Sequence, residues 1–245
     1  MKILLTNDDG LSSEGIQALA SVLRSGGNTD IWIIAPSENR SAVSHGITMH
    51  EPLRLWVRGE QEFACSGLPV DCAIVSMHGI LGGRPDVIIS GINAGANMGT
   101  DLIYSGTAAA ARQAAMAGIP GIAVSLESDD GNYVWEPLAF FVQKNLDTLI
   151  SLCDKDIFLN INARSGLQYK GARLTGISYR DYRDSTVIHD GPDGCKYSFF
   201  CPGNIQTDGD GFSDWDAVKE GYISVSRVLA QPVSALCEND IEFIM

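Results

Sequence analysis

The sequence predicts an α/β protein built as a three-layer, mostly parallel sheet, with a β-rich arm following it. Two observations predict this. Through the first 165 residues short apolar runs alternate with segments of helical spacing, which implies parallel crossovers. From about residue 166 the texture changes to paired β-like runs around a turn, without a helical pattern.

The elements follow in order. Met1-Lys2-Ile3-Leu4-Leu5 is apolar with almost no polar interruption, as suits a strand covered on both faces. "SEGIQALASVLRSGG" sets Ile16, Leu19 and Leu23 at helical spacing and stops at Gly26-Gly27. "DIWIIAP" reads as the next strand, and "LRLWVR" with "EFACSG" as short antiparallel pieces. "PVDCAIVSMHGIL" reads as a helix opening at Pro69. "DVIISG" is a strand, and "SGTAAAARQAAMAG" a helix capped by Ser105, with Gly118 at its C′ position and Pro120 beyond. "GIAVSL" is a strand, "VWEPLAFFVQKNLDTLISLC" a single helix and "DIFLNIN" a strand. "RDYRDSTVIHDGPDGCKYSFFCPGN" fits a hairpin turning at "HDGPDG", "GYISVSRV" is a further strand, and no helix of any length is evident after 166. The expected organisation is a single domain over 1–245: an α/β body to 165, an arm from about 166 to 230, and a tail over 231–245.

Composition narrows the function classes. The 245 residues are 45% hydrophobic, with a mean hydropathy of +0.05, enough for a full core. Seventeen Lys+Arg stand against 30 Asp+Glu, a net charge of −13. Such a surface repels long nucleic acid and anionic membranes; a small anionic substrate is compatible if cations are supplied locally. No apolar run approaches the roughly 18 residues of a membrane span, and the start lacks the layout of a signal peptide, so a cytoplasmic protein is expected. Six cysteines form no C-x-x-C pair and four histidines show no metal-binding spacing. A bound metal should therefore be held by oxygen.

The chemistry begins at "TNDDG", residues 6–10. Asp8 and Asp9 follow a buried strand directly, where two like charges repel and lose hydration unless something offsets them. Asn, Asp and Gly also make ordinary turns. Two more segments leave strands for the same rim: "SENRSAVSHGIT", offering Arg40, Ser41 and His45, and "INAGANMGTDLIYSGT", offering Asn93, Asn97, Ser105 and Thr107. In α/β sheets ligands bind beyond the carboxyl ends of the strands. The free N–H groups at the start of the Ala-rich helix, with Gly106 allowing close approach, make "SGT" an anion cradle. Carboxylates with Asn and Ser oxygens suit Mg²⁺ or Mn²⁺, and such a cation beside a cradled phosphate is the layout for metal-assisted phosphoryl hydrolysis.

"MKILLTNDDG", "APSENRS", "SGINAGANMG" and "YSGTAAAA" resemble, in order and spacing, the four motifs of the SurE family, stationary-phase survival proteins that are metal-dependent nucleotidases. The resemblance extends to "LPVDC" at 68–72 and "GYISVS" at 221–226. It implies that Asp8, Asp9, Ser41 and Asn93 are metal ligands, with Asp8 and Asp9 catalytic. It implies that Asn97, Ser105, Gly106 and Thr107 bind phosphate and that Asn7 and Gly10 complete the first motif; apart from the resemblance, Arg40 and His45 of the rim loop are accessory candidates, with one of the aspartates or His45 as general base. The activity implied is hydrolysis of nucleoside 5′- and 3′-monophosphates with one Mn²⁺ or Mg²⁺ per subunit; broad phosphomonoesterase or exopolyphosphatase activity is the alternative. The fold implied is a Rossmann-like domain whose C-terminal arm is exchanged in a homodimer, or in a tetramer of paired dimers. The arm's Tyr179, Tyr182, Val187, Ile188, Tyr197, Phe199 and Phe200 would then be covered.

The chain departs from the family at Ser37-Glu38, where Asp-Arg is common, at Ala42, where glycine is usual, and at "LNINAR", which lacks a common proline. Rival readings fare worse. A phosphoacceptor receiver module binding Mg²⁺ needs an Asp after its third strand and a Lys after its fifth, where this chain offers "SGINAG" and Glu127-Ser128. A haloacid-dehalogenase-type phosphatase needs D-x-D after the first strand, and a dinucleotide-binding domain needs G-x-G-x-x-G. A non-enzymatic module would not be expected to carry the full ligand set.

Overall fold

The computed structural model describes residues 1–27 and 29–234. Strand β1 (Lys2–Thr6) leads to helix α1 (Glu14–Ser25), then β2 (Asp30–Pro36), β3 (Leu55–Gly59), β4 (Glu62–Cys65) and α2 (Pro69–Val75). Strand β5 (Val87–Ala94) leads to α3 (Gly106–Met116), β6 (Gly121–Glu127), α4 (Glu136–Lys144), α5 (Leu146–Leu152) and β7 (Ile157–Arg164). Then come β8 (Ala172–Thr175), β9 (Tyr179–Asp181), β10 (Ser185–Asp190), β11 (Lys196–Cys201), β12 (Gln206–Asp208), α6 (Asp214–Lys219) and β13 (Ile223–Leu229).

Among the described residues the main sheet has nine strands in the order β3-β4-β2-β1-β5-β6-β7-β13-β8. Pairing is parallel except between β3 and β4 and between β7 and β13. From β1 the chain steps to one side to form β2 and to the other to form β5. That reversal opens a crevice at the carboxyl ends of β1 and β5, the switch point at which open α/β sheets take ligands.

Period-2 alternation sets the layers. Ile3 and Leu5 face one way with α1 and α4 (Ile16, Leu19, Leu138, Val142). Leu4 faces the other with Ile34, Ile88 and the small residues Ala73, Ala110 and Ala114 of α2 and α3. Every β1 residue from Ile3 to Leu5 is fully buried, as the unbroken apolar run predicts. The α/β architecture expected from the sequence is the one observed.

Three helical expectations change. The helix from Pro69 is regular only to Val75; it loosens into a wide turn over 76–80, where Gly79 has φ +117°. The single helix expected over 134–153 is two, α4 and α5, divided at Asn145, whose side chain donates to the Phe141 carbonyl at 2.8 Å. An Asn that bonds to local backbone competes with helix continuation. The stretch after 166, expected to lack helix, holds α6, capped by Ser213 and Asp216.

The residues after 165 divide between two places. β8 and β13 join the main sheet, β13 antiparallel to β7 and parallel to β8. The hairpin β10–β11 turns at "HDGPDG" as expected, with Ser185 opposite Cys201 and Asp190 opposite Lys196. Beneath it β9 pairs with β12 and forms the arm's root. Cys237 and most of the 231–245 tail lie outside the described residues. Among the described residues no helix is long and apolar enough to cross a membrane.

Candidate active site

The turn after β1 delivers two carboxylates into the crevice. Asn7 shapes it: its side-chain nitrogen donates to the Gly10 carbonyl (2.9 Å) and to Ser13 Oγ (2.7 Å), and its oxygen accepts from Gly10 N. Asp8 is 5% exposed and accepts from the Thr107 hydroxyl at 2.5 Å. Asp9 Oδ2 accepts from the Ala94 amide at 3.0 Å. Burial pushes the Asp8 carboxyl up to about 6; the Thr107 hydrogen bond opposes this and the Asp9 charge adds to it. Burial raises Asp9 as well, against the Ala94 hydrogen bond. Among the described residues neither carboxylate has an ion-pair partner.

The other oxygens come from the two flanking loops. Ser41 donates its hydroxyl proton to Asn39 Oδ1 (2.6 Å), which also accepts from Ser41 N at 2.8 Å. The Ser41 lone pairs are left for another partner. Asn93 sits past a bulge in β5, where the β5–β6 register shifts between Ser90 and Asn93. Gly91 makes that bulge possible: its φ is +133°, and a Cβ there would lie 2.2 Å from the Val124 carbonyl. The bulge re-aims the strand end, and Asn93 Nδ2 donates to the Gly95 carbonyl at 2.9 Å, which leaves the amide oxygen available to the cavity. Two carboxylates, a hydroxyl and an amide oxygen are the donor set of a hard divalent cation, and the unpaired buried charges are what such a cation would neutralise.

Helix α3 closes the site. Ser105 caps it, Oγ accepting from Ala108 N at 3.0 Å, and Gly118 ends it with φ +73°. Gly106 lies so near Asp8 that a Cβ would come within 3.1 Å of the carboxylate. The helix N-terminus therefore meets the acidic pair without a side chain between them. Asn97 is held from three sides: its amide N donates to Asn162 Oδ1 (2.8 Å), its side chain to Ser125 Oγ (2.8 Å), and its carbonyl accepts from Asn160 and Asn162.

Asp8, Ser41, Asn93, Asn97 and Ser105 line one cavity of about 770 Å³. Asp9 and Thr107 adjoin it through the contacts above, and Asn7 supports it from beneath. Arg40 and His45 do not line it. Arg40 pairs with Glu38 at 2.7 Å and donates its backbone amide to the Asp8 carbonyl at 2.7 Å; His45 Nε2 contacts Gln113 Oε1 at 3.0 Å. Glu38, the acidic departure from the family pattern, is thus engaged with Arg40. Ala42, a second departure, takes φ +58°, a conformation that suits the glycine usual there.

Sequence reading missed several contributors. Asn39 was visible only as part of "SENRS". Asn160 and Asn162 left a signal, two amides in the otherwise apolar run 157–163, and both are fully buried. The arm's root also walls the cavity. Asp101, in the turn before Ser105, pairs with Arg180 and accepts from Tyr182. Asp214 accepts from both Gly99 N and Ser178 N, at 2.8 and 2.9 Å, tying the same turn to the arm. Burial, then the Asp101 carboxylate, holds the Tyr182 phenol above its usual range.

A family model described as "Survival protein SurE" matches residues 3–184. The chain is 39% identical over 234 residues to the 5′-nucleotidase SurE of Caldanaerobacter subterraneus subsp. tengcongensis, covering 92% of this chain and 90% of that protein. It is 45% identical over 186 residues to the 5′-nucleotidase SurE of Treponema pallidum, covering 74% of this chain and all of the relative. The crystal structure of the SurE protein from Aquifex aeolicus superposes with a TM-score of 0.82 at 30% identity, over 95% of each chain. A matched family model, relatives of this identity over nearly the full length, and a shared fold leave one assignment: the chain belongs to the SurE family.

Proposed function

We propose that the chain is a nucleotidase that hydrolyses nucleoside 5′- and 3′-monophosphates to nucleoside and phosphate, dependent on a divalent metal. The observation that carries this reading is the adjacent carboxylates Asp8 and Asp9 at a sheet switch point, without ion-pair partners among the described residues, Asp8 buried and facing the N-terminus of α3 across Gly106. The relatives' printed names support the enzyme class.

Asp8, Asp9, Ser41 and Asn93 would hold one Mn²⁺ or Mg²⁺ per subunit. Bound there, the cation supplies positive charge for the phosphoryl oxygens and lowers the pKa of water. The first N–H groups of α3 receive the phosphate, where the dipole end favours an anion. Asn97, fixed by Ser125, Asn160 and Asn162, has the second N–H of its side-chain amide left to offer from the side. Thr107 keeps one oxygen of Asp8 engaged. With His45 held on Gln113, the proton of the attacking water passes to one of the aspartates, and water attacks phosphorus in line without a phosphoenzyme. A cytoplasmic location and a homodimer or tetramer that covers exposed Val187 and Phe199 belong to the same reading.

Phosphate release from a panel of phosphomonoesters tests it. Chelator should abolish activity and Mn²⁺ or Mg²⁺ restore it, and Asp9→Asn or Asn93→Ala should lose most of it while folding normally. Full activity in chelator or in either variant refutes the ligand set, equal rates on all esters would make the enzyme a broad phosphomonoesterase, and single-turnover reaction in ¹⁸O-water that labels Asp8 first would overturn direct attack by water.

A further inference from the structure

The phosphate end occupies only one side of the cavity. The far wall is made by Tyr104, Tyr182, Phe200 and Ile205, three of them from the arm. Tyr104, Phe200 and Ile205 are 52%, 65% and 46% exposed, so their apolar surface lies open inside a concave site. The Tyr104 and Tyr182 rings meet edge to face, centroids 5.8 Å apart, which fixes both. Tyr104 directly precedes Ser105, so this wall begins one residue from the anion cradle.

The charges that line the cavity beyond Asp8 are mostly of one sign. Asp101, Glu127 and Asp184 line the cavity, and among the described residues the one cation lining it is Arg180, whose guanidinium is already on Asp101. Positive charge for a substrate is therefore confined to the Asp8–Asp9 end and the start of α3. A group beyond the first phosphate meets aromatic faces and carboxylates: Asp101 is on Arg180, Glu127 lies 3.8 Å from Arg164, which does not line the cavity, and Asp184 has no ion-pair partner among the described residues. A flat, uncharged heterocycle suits that surface, because every base has a face that stacks on aromatic side chains. A second phosphate does not, since it would face like charge in a partly desolvated site.

We propose that the root of the arm is the leaving-group subsite: Tyr104, Tyr182, Phe200 and Ile205 receive the nucleobase, and Glu127 and Asp184 exclude a second phosphate. The inference rests on the nucleotidase reading and adds two things to it, the residues that recognise the base and a bias against polyphosphate chains. It makes the arm a specificity element as well as an extension of the sheet.

The test is a ratio. With Mn²⁺ present, kcat/KM is measured for adenosine 5′-monophosphate and for glycerol 2-phosphate in wild type and in Phe200→Ala. Phe200 is largely exposed, so the variant is expected to fold. Removing one stacking partner is worth about 1–3 kcal/mol per base, roughly 5- to 150-fold; the ratio should fall about tenfold, through KM of the nucleotide. In Glu127→Gln/Asp184→Asn, turnover of inorganic tripolyphosphate relative to the nucleotide should rise at least fivefold at low ionic strength. An unchanged ratio in Phe200→Ala, or an unchanged polyphosphate preference in the double variant, overturns the subsite. Failure of the nucleotidase reading is distinguishable, because wild type would then release phosphate from neither monoester. In that event calorimetry with adenosine alone still decides the wall: about tenfold weaker binding to Phe200→Ala supports it, and equal binding refutes it.

Discussion

Removing the Asp101 carboxylate should release the arm's root from the α/β body. Asp101 and Arg180 are 14% and 13% exposed as side chains, and the same carboxylate accepts from the Tyr182 hydroxyl and from Met98 N at 3.1 Å. In Asp101→Ala the Arg180 guanidinium stays buried without its counter-charge. Breaking a buried pair from one side costs about 3–5 kcal/mol, and the residual exposure of both groups argues for the lower end, about 3 kcal/mol. At about 1.4 kcal/mol per tenfold this raises the opened population of the root roughly 150-fold. Native-state hydrogen exchange of the Tyr179–Asp181 amides reads it, with global stability followed by urea in parallel. The double variant Asp101→Ala/Arg180→Ala strands no charge and should recover at least half of the loss, giving a coupling energy from the cycle. Exchange accelerated less than about fivefold, or a double variant no better than the single one, would refute the claim that this pair clamps the arm.

Two further outcomes follow from the site. Asp8 is raised from 3.8 to about 6 by burial, so its folded value lies above the unfolded one and its contribution to stability, full below about pH 4, is lost as pH rises through about 6. The loss is at most about 3 kcal/mol from a shift of this size; urea midpoints in chelator should fall between pH 4 and 7, and Asp8→Asn should flatten that fall. Asp130, Asp193 and Asp216, lowered chiefly by side-chain hydrogen bonds, act in the opposite sense and only toward more acid pH. A fall that persists unchanged in Asp8→Asn would assign it to other groups. Ala42 holds φ +58°, where a residue with a Cβ is strained by about 1–2 kcal/mol; the entropy of glycine in the unfolded chain offsets about 0.4–1 kcal/mol. Ala42→Gly should therefore raise the urea midpoint by the equivalent of at most about 1.6 kcal/mol, and a lowered midpoint would show that the strain is relieved elsewhere.

What the sequence made legible were features settled within a few residues. The apolar runs of β1, β2 and β5, the Ser105 cap and the Gly118 stop each declare themselves locally, and "NDD", "SENRS" and "GIN" declare the rim because each follows a strand. The break at Asn145 and helix α6 were also locally encoded, by an Asn side chain that bonds to backbone and by a Ser213–Asp216 cap, but such competing bonds are weak signals beside periodicity. Pairing across 50 residues, as of Ala172 with Ile223, has no local trace.

The arm shows most clearly where local reading stops. From sequence, Phe199 and Phe200 belong together as exposed apolar residues awaiting one partner surface. In a strand, neighbouring side chains point to opposite faces, so the two cannot share a role. Phe199 meets His189 across the hairpin, ring centroids 5.7 Å apart, whereas Phe200 lines the cavity with Tyr182. The face that carries Val187 and Phe199 is exposed, whereas Phe200 on the opposite face lines the cavity. If both proposals hold, a substitution on one face should leave the other's function standing, and oligomeric state and base preference should separate.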